Sequence, residues 1–116
     1  MAMAKLSPNT LTDIFSLLRQ IAEEIENACS TEWGLFENYG ETAETINELD
    51  ELHNVKERLN QSYSRLNLLT LRILEAQPIV SHVMLDLLTQ AIEDGSANLD
   101  ASHASIQEIK KGWNLP

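Results

Sequence analysis

The length, composition and charge of this 116-residue chain restrict what it can be. A hydrophobic content of 43% is enough for one core, while only 4 glycines and 3 prolines favour an all-α domain over strands. The net charge of −10 is concentrated in residues 1–54, which hold 11 acidic and 2 basic side chains, so direct binding to nucleic acid or anionic membranes is disfavoured.

The sequence shows no signal peptide, no membrane-spanning stretch and no pair of cysteines for a disulfide. No apolar stretch is long enough to span a membrane or act as a signal peptide, which predicts a cytoplasmic protein. The single cysteine, Cys29, cannot form an intramolecular disulfide and fits no zinc spacing. We therefore expect one domain over 1–116, without a cofactor and with residues 1–7 and 114–116 frayed.

The first predicted helix covers about 8–39. Ser7-Pro8 is a typical helix start, apolar residues then recur every three or four positions, and Gly40 suits the position after a helix. Gly34 interrupts the pattern and leaves a break near this residue as an alternative.

The second and third predicted helices cover about 42–76 and 79–112. Thr42 opens one pattern, and Gln77-Pro78 predicts a tight turn before the other. The apolar residues keep the same helical spacing before and after Gly95, and this continuity favours one helix. Three helices of similar length predict an antiparallel up-down bundle, with a four-helix bundle broken near Gly34 or Gly95 as the alternative.

Tight turns would fix which residues of neighbouring helices face each other. Facing positions would then sum to about 81 for the first and second helices and to about 155 for the second and third. Arg58, Arg65 and Arg72 recur every seven residues on the second helix. The estimate predicts register-setting ion pairs from these arginines to the first helix, with Glu23, Glu24, Glu26 and Asp13 as partners.

Aromatic residues converge at the end formed by the first turn. Trp33, Phe36, Tyr39 and Trp113 are predicted to bury one another as an aromatic plug that closes the bundle. A ligand-stacking site is the less favoured interpretation.

The opposite end has more apolar residues than one core-facing stripe needs. Such a surplus predicts a protein–protein surface, most simply the interface of a homodimer, although rearranged packing that covers these side chains is the alternative. The surplus residues are Leu17, Leu68, Leu71, Leu74, Ile79 and Leu85.

Acidic residues crowd the first turn, where no basic residue occurs between Arg19 and Lys56. A solvated acidic end is the simpler interpretation, and a docking surface for a basic protein is the sharper one. The residues predicted for this surface are Glu37, Glu41, Glu44, Glu48, Asp50 and Glu51.

Residue types that carry chemistry are sparse. Cys29, His53 and His103 fall at a similar height in the predicted bundle, and they are the candidates for the alternative function of a metal- or small-ligand-binding bundle. The chain has no phosphate-binding loop, nucleophile elbow or zinc-protease motif, so we do not expect an enzyme. The favoured interpretation is a helical interaction module that self-associates and presents an acidic end to a basic partner.

Overall fold

The computed structural model describes residues 6–76 and 79–116 and contains three long helices within them. Helix α1 runs over Pro8–Tyr39, α2 over Ile46–Glu75 and α3 over His82–Gly112. They pack as an up-down-up bundle that measures 57 × 21 × 18 Å. The predicted three-helix bundle is confirmed, and the four-helix alternative is not needed.

Side-chain caps set where α1 and α3 begin, whereas the N-cap residue of α2, Thr45, makes no capping side-chain hydrogen bond. Ser7 Oγ accepts a hydrogen bond from the Thr10 N–H at 3.0 Å, so α1 starts at Pro8 as predicted. Helix α2 starts four residues later than predicted, because Thr45 Oγ1 accepts from the Thr42 N–H and donates to the Gly40 carbonyl oxygen, each at 2.8 Å. These bonds fold 40–45 into a turn.

Helix α3 also starts later than predicted. Ser81 has an extended backbone, and its Oγ accepts from the Met84 N–H at 3.2 Å, so the helix begins at His82 rather than at Ile79. The predicted tight turn at Gln77-Pro78 lies outside the described residues.

Two glycines lie inside continuous helices, at positions where a Cβ would make only ordinary van der Waals contacts. A Cβ built on Gly95 of α3 would lie 3.5 Å from Leu17 Cδ2 and 3.7 Å from Ile21 Cδ1 of α1. A Cβ built on Gly34 would lie 3.8 Å from Leu115 Cδ2. Neither glycine breaks its helix, because the apolar stripe on each side holds the helix against its neighbours.

Residues near both ends of the described chain pack against the bundle. Leu6 is part of the buried core, and Leu115 packs against that core while its N–H donates to the Lys110 carbonyl oxygen at 2.8 Å. The fraying of 1–7 and 114–116 stays a prediction, and residues 1–5 of the first segment lie outside the described part. Within residues 6–76 and 79–116, no helix combines the length and apolar character needed to cross a membrane.

The helix register differs from the tight-turn estimate. That estimate places Lys56 opposite Ile25, whereas Lys56 Nζ lies 3.0 Å from Glu32 Oε1, two helical turns further along α1. Between α2 and α3, Asn98 Nδ2 donates to Ser62 Oγ at 2.8 Å. The register shifts partly because the first connection occupies residues 40–45 instead of a sharp pivot.

The arginine pairs change with the register. Arg58 Nη2 lies 3.5 Å from Glu51 Oε1 on its own helix, and Arg65 Nη1 lies 3.2 Å from Asp94 Oδ2 on α3. The predicted pairs to Glu23, Glu24, Glu26 and Asp13 of α1 are wrong, because this face of α2 borders α3.

Candidate functional site

The ten large apolar side chains that are exposed among the described residues fall into two groups at opposite ends of the bundle. Seven lie within a few turns of the connection between α2 and α3, and we call them the turn-end patch. The other three are aromatic and lie near the connection between α1 and α2. The turn-end patch comprises Phe15, Leu68, Leu71, Leu74, Ile79, Val83 and Leu87.

Helical spacing makes the turn-end patch continuous on α2. Leu68, Leu71 and Leu74 follow one another at three-residue intervals and cover the outer face of the last two turns. Val83 and Leu87 lie four residues apart at the start of α3. Exposure ranges from 38% for Leu74 to 69% for Val83, so about half of the surface of these residues is in contact with water.

Four of the six residues predicted to be surplus are exposed, and two are not. Leu17 is only 8% exposed, because its side chain packs between α1 and α3 beside Gly95. Leu85 is half-buried and packs against the core. The prediction that Leu17 and Leu85 are exposed in a single bundle is wrong.

Phe15, Val83 and Leu87 belong to the turn-end patch but were not among the predicted surplus residues. Val83 and Leu87 each precede a residue that packs inward, Met84 and Leu88, and one position rotates a helical side chain by about 100°. Phe15 is displaced from the buried Ile14 in the same way. Comparing two possible core-facing stripes that differ by one residue position would have indicated that some of these apolar residues face outward.

The predicted aromatic plug forms only in part. Tyr39 and Trp113 meet edge to face with ring centroids 5.0 Å apart, and the Tyr39 hydroxyl donates to the Trp113 carbonyl oxygen at 2.9 Å. Trp33 and Phe36 do not join them, and Trp33 is 65% exposed. The prediction is wrong for these two rings, because they lie on the side of α1 that borders α2.

Trp33 and Phe36 instead line a depression of about 390 Å³ between α1 and the start of α2, which we call the aromatic groove. On α1, Cys29 and Trp33 lie four residues apart and Phe36 three further on, so they share one face. Leu49 of α2 forms the opposite apolar wall. The groove is also lined by Glu32 and Glu41.

The six predicted acidic residues all reach the surface near the first connection, with Glu48 and Glu51 half-buried and the others exposed. Glu48 and Glu51 join Glu108 of α3 along a second groove of about 460 Å³. The last turn of α3 brings Lys110 and Lys111 to the same end. Lys110 Nζ donates to Asn27 Oδ1 at 2.6 Å, so this lysine contacts an amide and not one of the six carboxylates.

The three candidate metal ligands are not brought together. His53 Nε2 lies 3.2 Å from Glu57 Oε1 on α2, and His103 Nδ1 lies 3.1 Å from the buried Glu24 of α1. Cys29 lies at the surface in the aromatic groove. Cys29, His53 and His103 were predicted at a similar height along the bundle, but they lie on different faces of it. In the described part of the chain, no group of three His, Cys, Asp or Glu could hold a metal ion.

Comparison with known proteins finds no matching family model, no similar curated protein and no similar solved structure.

Proposed function

We propose that this chain is a non-enzymatic, cytoplasmic helical interaction module that self-associates into a homodimer through the turn-end patch. The observation that supports the proposal is the exposure of seven large apolar side chains at one end of the bundle. Together they expose on the order of several hundred Å² of apolar surface, the size at which a patch on a monomer marks a protein–protein contact.

The distribution of charge favours a second copy as the partner at this end. The described residues nearest the α2–α3 connection (6–20, 65–76 and 79–95) carry five acidic and three basic side chains. Two identical molecules therefore repel each other less at this end than at the acidic end, although each carries a net charge of −10. These side chains are Asp13, Glu75, Asp86, Glu93 and Asp94, with Arg19, Arg65 and Arg72.

A two-fold pairing also suits the charged residues that border the patch. Arg72 is exposed and follows Leu71 in the sequence, about 100° away around α2, and Asp86 is exposed and precedes Leu87 on α3. In an isologous interface each surface meets its own copy, so an arginine and a carboxylate on one patch can pair across the axis in both directions. Such rim pairs set orientation more than affinity.

Docking of a basic partner at the acidic end is the second part of the proposal. It rests on Glu37, Glu41, Glu44 and Asp50, which are exposed and have no ion-pair partner within residues 6–76 and 79–116. The alternative of a metal- or small-ligand-binding bundle is not proposed, because Cys29, His53 and His103 lie on different faces.

Sedimentation equilibrium from about 1 to about 200 µM tests self-association. We expect the wild-type chain to reach twice the monomer mass of 13.1 kDa, and Leu71→Glu to remain a monomer, because the substitution places a charge in the centre of the patch. Trp33→Glu is the matched control, since it adds the same charge to an exposed apolar residue at the opposite end and should leave the dimer intact. A wild-type monomer at the highest concentration, or equal loss in both variants, would contradict the proposal.

A further inference from the structure

We propose that the aromatic groove is a docking site for a cationic amphipathic helix of a partner protein. The inference deepens the acidic-end part of the proposed function and does not depend on self-association. It names the surface that receives the partner and the chemistry that the partner must have.

The apolar part of the groove can receive an anchor side chain. Trp33 is the most exposed aromatic residue among those described, and Phe36 beside it is half exposed. Cys29 and Leu49 complete the apolar part of this open depression, whose volume of about 390 Å³ falls within the roughly 300–1,000 Å³ of typical binding pockets. Exposed aromatic rings in a concave site are the usual anchors of an interface, because they bury a large area with few rotatable bonds.

The charges around the groove determine what can enter. Glu32 and Glu41 are part of its wall, and Glu37 and Glu44 are exposed on the adjoining turns. Lys56 pairs with Glu32 at 3.0 Å, while Glu37, Glu41 and Glu44 have no ion-pair partner in the part of the chain that the structure describes. An apolar surface with an anionic border is complementary to a helix that carries leucine-type residues on one face and lysines or arginines beside them.

The same charges disfavour the other occupants of an apolar groove. A second copy would bring its own acidic end into contact with this one, and both would repel each other. An anionic membrane surface would be repelled for the same reason. A cationic segment gains both the apolar contact and the electrostatic attraction, so it is the occupant that the surface fits.

Fluorescence anisotropy with a labelled model peptide tests the proposal. The probe is a helical peptide of about 18 leucine and lysine residues with leucine on one face, and the reference is a scrambled peptide of the same composition. We expect a Kd on the order of 10 µM for the probe and binding about ten-fold weaker for the scrambled peptide. No saturable binding of the probe at about 200 µM would overturn the proposal.

Matched variants locate the site. Trp33→Ala should weaken probe binding by about ten-fold, whereas Leu71→Ala, which removes an exposed apolar side chain at the other end, should change it less than about two-fold. Glu41→Lys should weaken binding by about five-fold, whereas Glu93→Lys, an equal change in net charge far from the groove, should have a much smaller effect. Equal effects within either pair of variants would overturn the proposal, because binding would then depend on net charge or on nonspecific hydrophobic contact instead of on the groove.

The outcomes for the two surfaces can be separated. Probe binding should persist in the monomeric Leu71→Glu variant if the groove acts alone. If the wild-type chain forms a dimer but does not bind the probe, only the proposal for the aromatic groove is overturned. If the wild-type chain stays a monomer and binds the probe, only the proposal of self-association is overturned. If Trp33→Ala instead dissociates the dimer, the groove is a contact between copies and the inference fails.

Discussion

The two ends of this bundle expose apolar side chains in different electrostatic environments, one with nearly balanced charges and one that is acidic. At the α2–α3 end, aliphatic residues lie among charges that nearly balance, while at the α1–α2 end Trp33 and Phe36 lie among unpaired carboxylates. The same excess of apolar surface therefore favours different partners, a second copy at one end and a cationic segment at the other. Exposure identifies a surface, and the charge around it selects the occupant.

The largest expected effect separates residues that hold the fold from residues that only cover its outside. Leu66 is fully buried, and Leu68 on the same helix is half exposed. Leu66→Ala should lower the free energy of unfolding by about 2–5 kcal/mol, whereas Leu68→Ala should change it by less than about 0.5 kcal/mol in the monomer. Urea denaturation at about 1 µM protein measures both. A large loss at Leu68 would mean that the turn-end patch belongs to the core of the single chain.

Ionic strength should affect the two ends in opposite directions. Raising NaCl from about 0.05 to about 0.5 M should tighten self-association a few-fold, because it screens repulsion between two chains of net charge −10. The same change should weaken binding of the leucine–lysine peptide, since it screens an attraction. Sedimentation and anisotropy titrations measure the two effects, and a dimer that weakens with salt would contradict an apolar interface.

A buried hydroxyl in α3 offers a smaller and more local test. Ser102 Oγ is buried and has no hydrogen-bond partner among the described residues, so Ser102→Ala should raise the free energy of unfolding by about 1 kcal/mol. Ser62→Ala is the matched control, because its Oγ accepts from Asn98 Nδ2 at 2.8 Å and its loss should lower stability by a similar amount. Thermal denaturation in the Leu71→Glu monomer compares them, and a stability loss at Ser102 would show that its hydroxyl is satisfied.

Effects of a similar or slightly smaller size are expected at two glycines that differ in backbone conformation. Gly95→Ala should stabilise the monomer by about 0.5–1 kcal/mol, because the residue is helical and a Cβ would make an ordinary contact 3.5 Å from Leu17. Gly40→Ala should destabilise it by about 1 kcal/mol, since Gly40 has a φ of 72°. Urea denaturation of both variants in the Leu71→Glu background would show the opposite signs, and destabilisation by Gly95→Ala would mean that α1 and α3 approach too closely for a methyl group.

Sequence reasoning worked where the deciding interaction is local. The bounds of α1 follow from Ser7-Pro8 and Gly40, and both signals act within one turn of the helix end. The start of α2 was missed because Thr45 bonds back to Gly40 through its side chain. Propensity and spacing do not distinguish that turn from another turn of helix.

Sequence reasoning failed where the answer depends on how the helices are rotated and aligned. The pairing of Lys56 with Glu32 lies two turns from the estimate, and this error also misplaced the arginine partners. The exposure of Leu17, Val83 and Leu87 depends on rotations of one position that apolar spacing leaves open. The aromatic groove was missed because Trp33 and Phe36 were assigned to a plug, although their separation from Tyr39 and Trp113 requires the three-dimensional register.

Small-angle X-ray scattering tests most directly whether the turn-end patch binds a second copy. A single chain has a Cα radius of gyration of 17.5 Å. At about 300 µM we predict a radius clearly above this value for the wild-type chain and a return close to it for Leu71→Glu. A wild-type radius that stays near 17.5 Å at that concentration would contradict the account, because the seven apolar side chains would then remain in water without a partner copy.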